Sequence, residues 1–316
     1  MLGKLRKLLH LIVDFPLGWC AVLAILLLDK VWMSNTLLKL PSSAFPFFCL
    51  LFLVNLKLLY HSLIVANILV SQKLISFFKF SLLGIEFILI CMSAGIDSGL
   101  LSYLFCALDY PLVDQQLSLI DRAIGFNWDR VFQLSLTQPA STILRIAYAS
   151  LLYQPIFLAG CFAFLRSKER LYEVFWILLV SALITMVISG FLPALGPAQA
   201  LGLVEPLAKI QPDFTGTLSD VTSIRSGIVT GVEIHNLHGI VAFPSFHTVC
   251  AIIYMYGARK TRVGGAIFLV NVVMLISIPA FGDHYLVDML AGAVVALVSI
   301  MGVRLLTQKQ MSLPVG

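Results

Sequence analysis

The chain is a succession of apolar runs, each of a length that can cross a bilayer, joined by short polar connections. The runs fall near 16–35, 44–70, 80–106, 142–164, 172–192, 241–258, 263–281 and 285–305. About 20 apolar residues span a hydrocarbon core as a helix, and helices satisfy their own backbone groups in lipid. Composition agrees: of 316 residues, 59% are hydrophobic and 12% charged, with a mean hydropathy of +0.97. The expected fold is therefore all-α, a polytopic membrane helix bundle of about eight transmembrane helices around a six-helix core. A net charge of +5 would suggest a nucleic-acid partner in a soluble chain. Here the basic residues sit in connections between apolar runs, so no nucleic-acid partner is expected.

Those basic residues fall into five groups: Lys4, Arg6 and Lys7; Lys73 and Lys79; Arg166, Lys168 and Arg170; Arg259, Lys260 and Arg262; Arg304 and Lys309. They occupy alternate connections, which places all five on the cytoplasmic side with both termini. The other side receives the connections 107–141, 193–240 and Gly282-Asp283. No small-residue cleavage site follows the basic start, and the first run is read as a retained anchor. The second run carries Asn55, Lys57 and His61, with His61 assigned a structural role. The six cysteines lie mostly within apolar runs without CxxC pairing, as small buried hydrophobes do.

Two connections are more than loops. Between the third and fourth runs, Asp109, Asp114, Asp121, Arg122, Trp128, Asp129 and Arg130 alternate with Leu, Ile and Phe. That pattern suits a pair of helices on the membrane surface, and a solvated loop with ion pairs accounts for the charges as well. Asp114 and Asp121 are candidate headgroup contacts. The stretch 193–240 follows Pro193, Gly196 and Pro197 and is read as a cap over the site, carrying Lys209, Arg225, Glu233, His235 and His238. Arg225, followed by Ser226-Gly227, is the candidate phosphate grip, because a guanidinium holds phosphate in a planar fork.

Ionisable side chains set against membrane runs are costly and commonly functional. Two such stretches stand out, Phe243-Pro244-Ser245-Phe246-His247 and Gly282-Asp283-His284-Tyr285-Leu286-Val287-Asp288. His284 and Asp288 are four apart, so on a helix the carboxylate can hold one imidazole N–H and raise the basicity of the other nitrogen. Pro244 and Ser245 sit where a helix would begin, and a helix N-terminus offers N–H groups to an anion. Ser245 and Phe246 are accordingly candidate phosphate-binding positions beside His247. His235, His238, His247 and His284 with Asp283 and Asp288 could ligate a metal, yet no HExxH is present. A proton path through a transporter also uses intramembrane charge, though without the internal symmetry transporters usually show.

These stretches carry a resemblance to the type 2 phosphatidic acid phosphatase superfamily, nearest its inositol phosphorylceramide synthase branch, over roughly residues 80–305. The family's Pro-Ser-x-His signature stands as Pro244-Ser245-Phe246-His247. Its Ser-Arg-x5-His-x3-Asp signature stands as Ser277-Ile278-x5-His284-x3-Asp288, with Ile278 where arginine is usual. The Lys-x6-Arg-Pro signature is absent, and Phe191 to Pro197 occupies its place. Phe246 follows the inositol phosphorylceramide synthase pattern.

The resemblance implies that His284, held by Asp288, attacks phosphorus and forms a phosphohistidine, with His247 as acid and then base. It implies no cofactor and no metal. The implied partners are a phospholipid donor and either a lipid hydroxyl or water as acceptor, which leaves an inositol-phosphate-type transferase and a lipid phosphate phosphohydrolase both open. A transporter or a silent lipid-binding relative is the reading from other classes. The expected organisation is 1–79 as N-terminal membrane helices, 80–306 as the catalytic membrane domain and 307–316 as a cytoplasmic tail. The expected location is a bacterial inner membrane with the site facing the periplasm, or an equivalent lumen.

Overall fold

A computed structural model describes residues 15–34, 44–65, 72–165, 168–210, 213–228 and 239–311, and its elements there are all helical. Three helices open the chain: α1 (Pro16–Ser34), α2 (Ala44–Val65) and α3 (Gln72–Cys106). Two short ones follow, α4 (Asp114–Ala123) and α5 (Trp128–Ser135). Next, α6 (Ala140–Ala149) passes through a 3-10 turn, Ser150–Leu152, into α7 (Gln154–Phe164), and α8 (Lys168–Phe191) returns. The connection after it holds α9 (Pro197–Leu201), α10 (Val204–Ile210) and α11 (Asp213–Arg225). The chain ends in α12 (Phe246–Ala258), α13 (Gly264–Phe281) and α14 (Leu286–Met311).

Among the described residues, five helices are long and apolar enough to cross a membrane: α1, α3, α8, α13 and α14. The pair α6–α7, bent by 56°, makes a sixth if it is one span. The expected eight thus become five or six by length and composition. In α2 the apolar stretch is Cys49–His61, and α12 has only 13 residues. At ~1.5 Å per residue α12 covers about 20 Å, short of the ~30 Å hydrocarbon core. It is short because the chain before it, 239–245, enters the bundle without helix and brings Ser245 inside.

The bundle is apolar outside as well as in, as a lipid-immersed protein requires. Leu27, Phe77, Leu269, Val294 and Leu306 stay exposed on the long helices, while Phe15, Trp19, Phe87, Phe175, Val249 and Ile253 close one core. The N-terminal helices contribute to that core directly, Phe15 stacking on Tyr172 at 5.3 Å. Of the cysteines, Cys49 and Cys250 are buried, Cys20 is exposed and none of the six forms a disulfide.

The two ends of the bundle differ in charge. At the start of α8 Arg170 pairs with Glu173 at 2.9 Å, and Tyr256 Oη donates to the same carboxylate at 2.5 Å. The Arg259 guanidinium lies 3.5 Å from the Tyr256 ring centre. Two of the basic connections, those at Arg170 and Arg259, therefore meet at one end. The opposite end is tied by aspartates. The expected helix pair is present as α4 and α5, with Leu117, Trp128 and Phe132 buried and Leu119, Ile120 and Leu134 exposed. Asp114 accepts from the Leu195 and Gly196 N–H groups at 3.0 and 2.9 Å. Asp121 accepts from Leu286 N and Val287 N at 2.8 and 2.9 Å, capping α14 from 165 residues away in sequence. Both carboxylates, candidates for headgroup contact in the sequence, are thus engaged with backbone N–H groups.

Asp283 makes the third tie, its Oδ1 accepting from Ala198 N at 2.8 Å. Its own backbone is left-handed, with φ +53°, which an aspartate tolerates better than most residues. Gly196, at φ +110°, lies so close that a Cβ there would run into the Asp283 carboxyl. Burial pushes the Asp283 carboxyl well above the ordinary aspartate range; the Ala198 N–H acts against this, and the charges of Asp288 and Asp114 add to it.

Two outcomes follow for purified protein in detergent. Gly292 in α14 faces the Ser245 carbonyl oxygen so closely that any Cβ would collide with it. Gly292→Ala should therefore cost about 1–3 kcal/mol by overpacking, read as a lowered unfolding midpoint; an unchanged midpoint would contradict the close approach. For Asp283, a folded pKa raised above the unfolded one means the native state binds more protons between the two values. Its contribution is complete below the unfolded pKa of about 4 and is lost as pH rises toward the raised folded value. Stability should fall as pH rises through that window, and Asp283→Asn should flatten the fall.

Candidate active site

The N-termini of α12 and α14 meet where the polar stretches of the sequence lie. Ser245 caps α12, its Oγ accepting from Thr248 N at 3.4 Å. Its N–H donates to the Asp288 carbonyl oxygen at 3.0 Å. Serine suits the position because its short side chain reaches the first-turn N–H groups while its backbone stays extended. The N–H groups of Phe246 and His247 have no acceptor among the described residues.

Asp288 lies in the first turn of α14, and His284 stands two residues before that helix begins. Asp288 Oδ2 faces His284 Nδ1 at 3.3 Å and accepts from Tyr285 N at 2.9 Å. Both side chains are almost wholly buried. A carboxylate only accepts, so it selects the tautomer with the proton on Nδ1 and leaves the Nε2 lone pair free. His284 N also bonds back to the Pro279 carbonyl at 3.3 Å, an oxygen that receives Trp128 Nε1 at 2.8 Å. The α5 helix thus buttresses the turn that carries the histidine.

His247 sits opposite, its ring 6.5 Å from that of His284, centre to centre. Tyr148 of α6 stacks on His247 at 4.2 Å with 13° between the planes. Both imidazoles open into a cavity of about 740 Å³. Its wall includes Phe246, Asp283 and Arg145, and between α3 and α8 it reaches Cys91 and Phe175. The structure therefore brings His247, His284, Asp288, Ser245 and Phe246 together.

Arg225 stands apart from this group. Its guanidinium pairs with Asp109 at 2.8 Å and donates to the Tyr110 carbonyl at 2.9 Å, beside a smaller pocket of about 20 Å³ that shares Ser102, Val221 and Ile240 with the main cavity's wall. The cap that carries it is helical, as α9 to α11, and α11 is pinned to α3 by the Tyr103 hydroxyl donating to Asp220. Glu233, His235 and His238 lie outside the described residues. Among the described residues no three His, Cys, Asp or Glu side chains gather as a metal set. Tyr148 and Arg145 went unnoticed in the sequence, although an arginine inside an apolar run is itself a signal.

The arrangement offers a nucleophilic nitrogen, a second imidazole for proton transfer, and free helix N–H groups for an anion. No curated protein and no solved structure matches the chain. Residues 115–302 match the PAP2 superfamily, whose members are phosphatases and phosphotransferases of lipid phosphates. The match runs from α4 into α14, covers more than half of the chain and encloses every residue of the histidine pair's setting, so the chain belongs to the PAP2 superfamily.

Proposed function

We propose that this integral membrane protein moves a phosphoryl or phospho-headgroup from a phospholipid through a phosphohistidine on His284. Its acceptor is a lipid hydroxyl, in the manner of an inositol-phosphate-type transferase. The observation that carries the reading is a buried His284 and a half-buried His247 facing one cavity, the former oriented by a carboxylate at 3.3 Å.

In the first step the Nε2 lone pair of His284 forms a bond to phosphorus while the bond to the departing alcohol oxygen breaks. His247, protonated, gives its proton to that oxygen. In the second step neutral His247 takes the proton of the acceptor hydroxyl, whose oxygen attacks phosphorus and releases His284. Nucleophile, acid and base all come from side chains, so the proposed sequence calls for no metal. The Phe246 and His247 N–H groups, at the positive end of α12, face the charge that develops on the phosphoryl oxygens. Ser245 supports them by holding the first turn of the helix.

A lipid substrate is supported by the cavity wall. Ala94, Gly95, Ser98 and Gly99 of α3 leave room beside Leu178 and Ala182 of α8, a space suited to hydrocarbon below a polar headgroup. The cap helices over the polar end favour a lipid acceptor by limiting water. With water as acceptor the same residues make a lipid phosphate phosphohydrolase. A proton-path reading draws on Asp29 and Asp97, buried in α1 and α3 with no hydrogen-bond partner for their carboxylate oxygens among the described residues; neither lines the cavity. The basic end of the bundle faces the cytoplasm in this proposal, the site opens outward, and the membrane is a bacterial inner membrane.

The test is an assay of purified protein in mixed micelles, offering phosphatidic acid and phosphatidylinositol with and without ceramide or diacylglycerol. A new phospholipid that depends on the acceptor is expected, and free phosphate alone would assign the hydrolase. His284→Ala should abolish turnover and His247→Ala should lower it by about 10²–10⁴-fold, both in protein that still unfolds cooperatively in detergent. Activity surviving in His284→Ala would sink the phosphohistidine mechanism.

A further inference from the structure

A phosphoryl group flanked by two imidazoles needs a cation, because negative charge accumulates on its oxygens in the transition state. The sequence departs from its superfamily on this point: the Lys-x6-Arg-Pro segment is missing, and Ile278 stands where an arginine is usual. Ile278 is 0% exposed, packed within the bundle. Arg225 is engaged by Asp109 and the Tyr110 carbonyl.

One other basic side chain has the position. Among the described residues lining the 740 Å³ cavity, Arg145 is the only lysine or arginine. It lies three residues before Tyr148 on α6, and residues at that spacing share a helix face. Tyr148 is the ring stacked on His247 at 4.2 Å. Leu144 and Tyr148 of α6 pack onto the apolar cluster that holds Ala280 and Phe281, the residues that lead directly into Gly282-Asp283-His284. Arg145 therefore stands about one helical turn, roughly 5 Å along the axis, from a ring in contact with the histidine pair. Its side chain is exposed and has no ion-pair partner among the described residues. A free guanidinium at that place has the fork geometry to hold two phosphoryl oxygens.

We propose that Arg145 is the phosphate-binding cation of this site, supplied by α6 in place of the family's basic segment and arginine. The assignment rests on the lipid phosphate reading and deepens it. The substrate it selects carries a phosphate or phosphodiester anion at the mouth of the cavity, with its hydrocarbon below.

Two measurements on the full chain in detergent decide the matter separately from that reading. The first is stabilisation against heat by inorganic phosphate, which needs no turnover. Wild type and His284→Ala should both gain in unfolding midpoint, Arg145→Ala should not, and Arg145→Lys should gain in part. Equal stabilisation of Arg145→Ala and wild type, or none of wild type at saturating phosphate, would overturn the assignment. The second is the mixed-micelle assay, where Arg145→Ala should lose about 10²-fold or more in kcat/KM and Arg145→Lys should recover part of it. If wild type turns over a lipid phosphate and Arg145→Ala keeps its kcat/KM within twofold, Arg145 is not the cation while the function stands. If wild type turns over none of the lipids, the function fails and phosphate stabilisation alone decides for or against Arg145. An unchanged midpoint without phosphate separates lost binding from lost folding.

Discussion

Asp288 joins the two helix N-termini from which the site is built. Its side chain holds His284 and the Tyr285 N–H, while its main-chain carbonyl receives the Ser245 N–H. One buried residue thus fixes both the tautomer of the proposed nucleophile and the approach of the helix that carries the second histidine. A buried carboxylate is costly unless it is hydrogen-bonded, and Oδ2 finds His284 and Tyr285 N locally, whereas the Ser245 N–H reaches the Asp288 carbonyl only when α12 and α14 are in register. Gly292 allows that register by leaving the Ser245 carbonyl room against α14. Packing and chemistry depend here on the same few atoms.

Around this junction, aspartates do the work that a β-ladder or disulfide would do in a soluble domain. Asp114 holds the turn after α8, Asp121 caps α14, and Asp283 receives α9. Each accepts N–H groups that helix starts and tight turns leave without an internal partner. Because the partners come from distant segments, this end of the bundle is tied as a unit. Those ties set the Gly282–Tyr285 turn and so the direction in which His284 points.

The parts legible in the sequence are those with short-range physical signatures. Long apolar runs announced the helices, and the spacing of His284 and Asp288 announced one face of a helix start. Ser245 was recognisable as a cap because capping is local. The number of spans was less legible, since α12 continues an apolar run beyond its helical part and the bend near Tyr153 divides another. Asp114 and Asp121 resembled headgroup ligands because their true partners, backbone N–H groups, lie 81 to 166 residues away and have no sequence signature. Arg225 stood out as a lone loop cation, yet its placement depends on Asp109, which only folding brings near. Arg145 drew no notice because the run around it looked like one more membrane helix.

The cavity also bears on the choice between water and lipid as acceptor. Its upper wall is polar, with two histidines, Asp283 and Arg145, whereas its depth is lined by small and apolar side chains from α3 and α8. Under the proposed function a donor lipid lies along that gradient, headgroup at the histidines and hydrocarbon between the helices. Once its alcohol leaves, the vacated apolar slot suits a second amphiphile better than water, which finds few partners there. An acceptor hydroxyl delivered from the membrane side is held near His247 by its own hydrocarbon, so a high local concentration substitutes for specific contacts. Under the proposed function it is therefore the shape of the slot, rather than any additional catalytic group, that decides the acceptor.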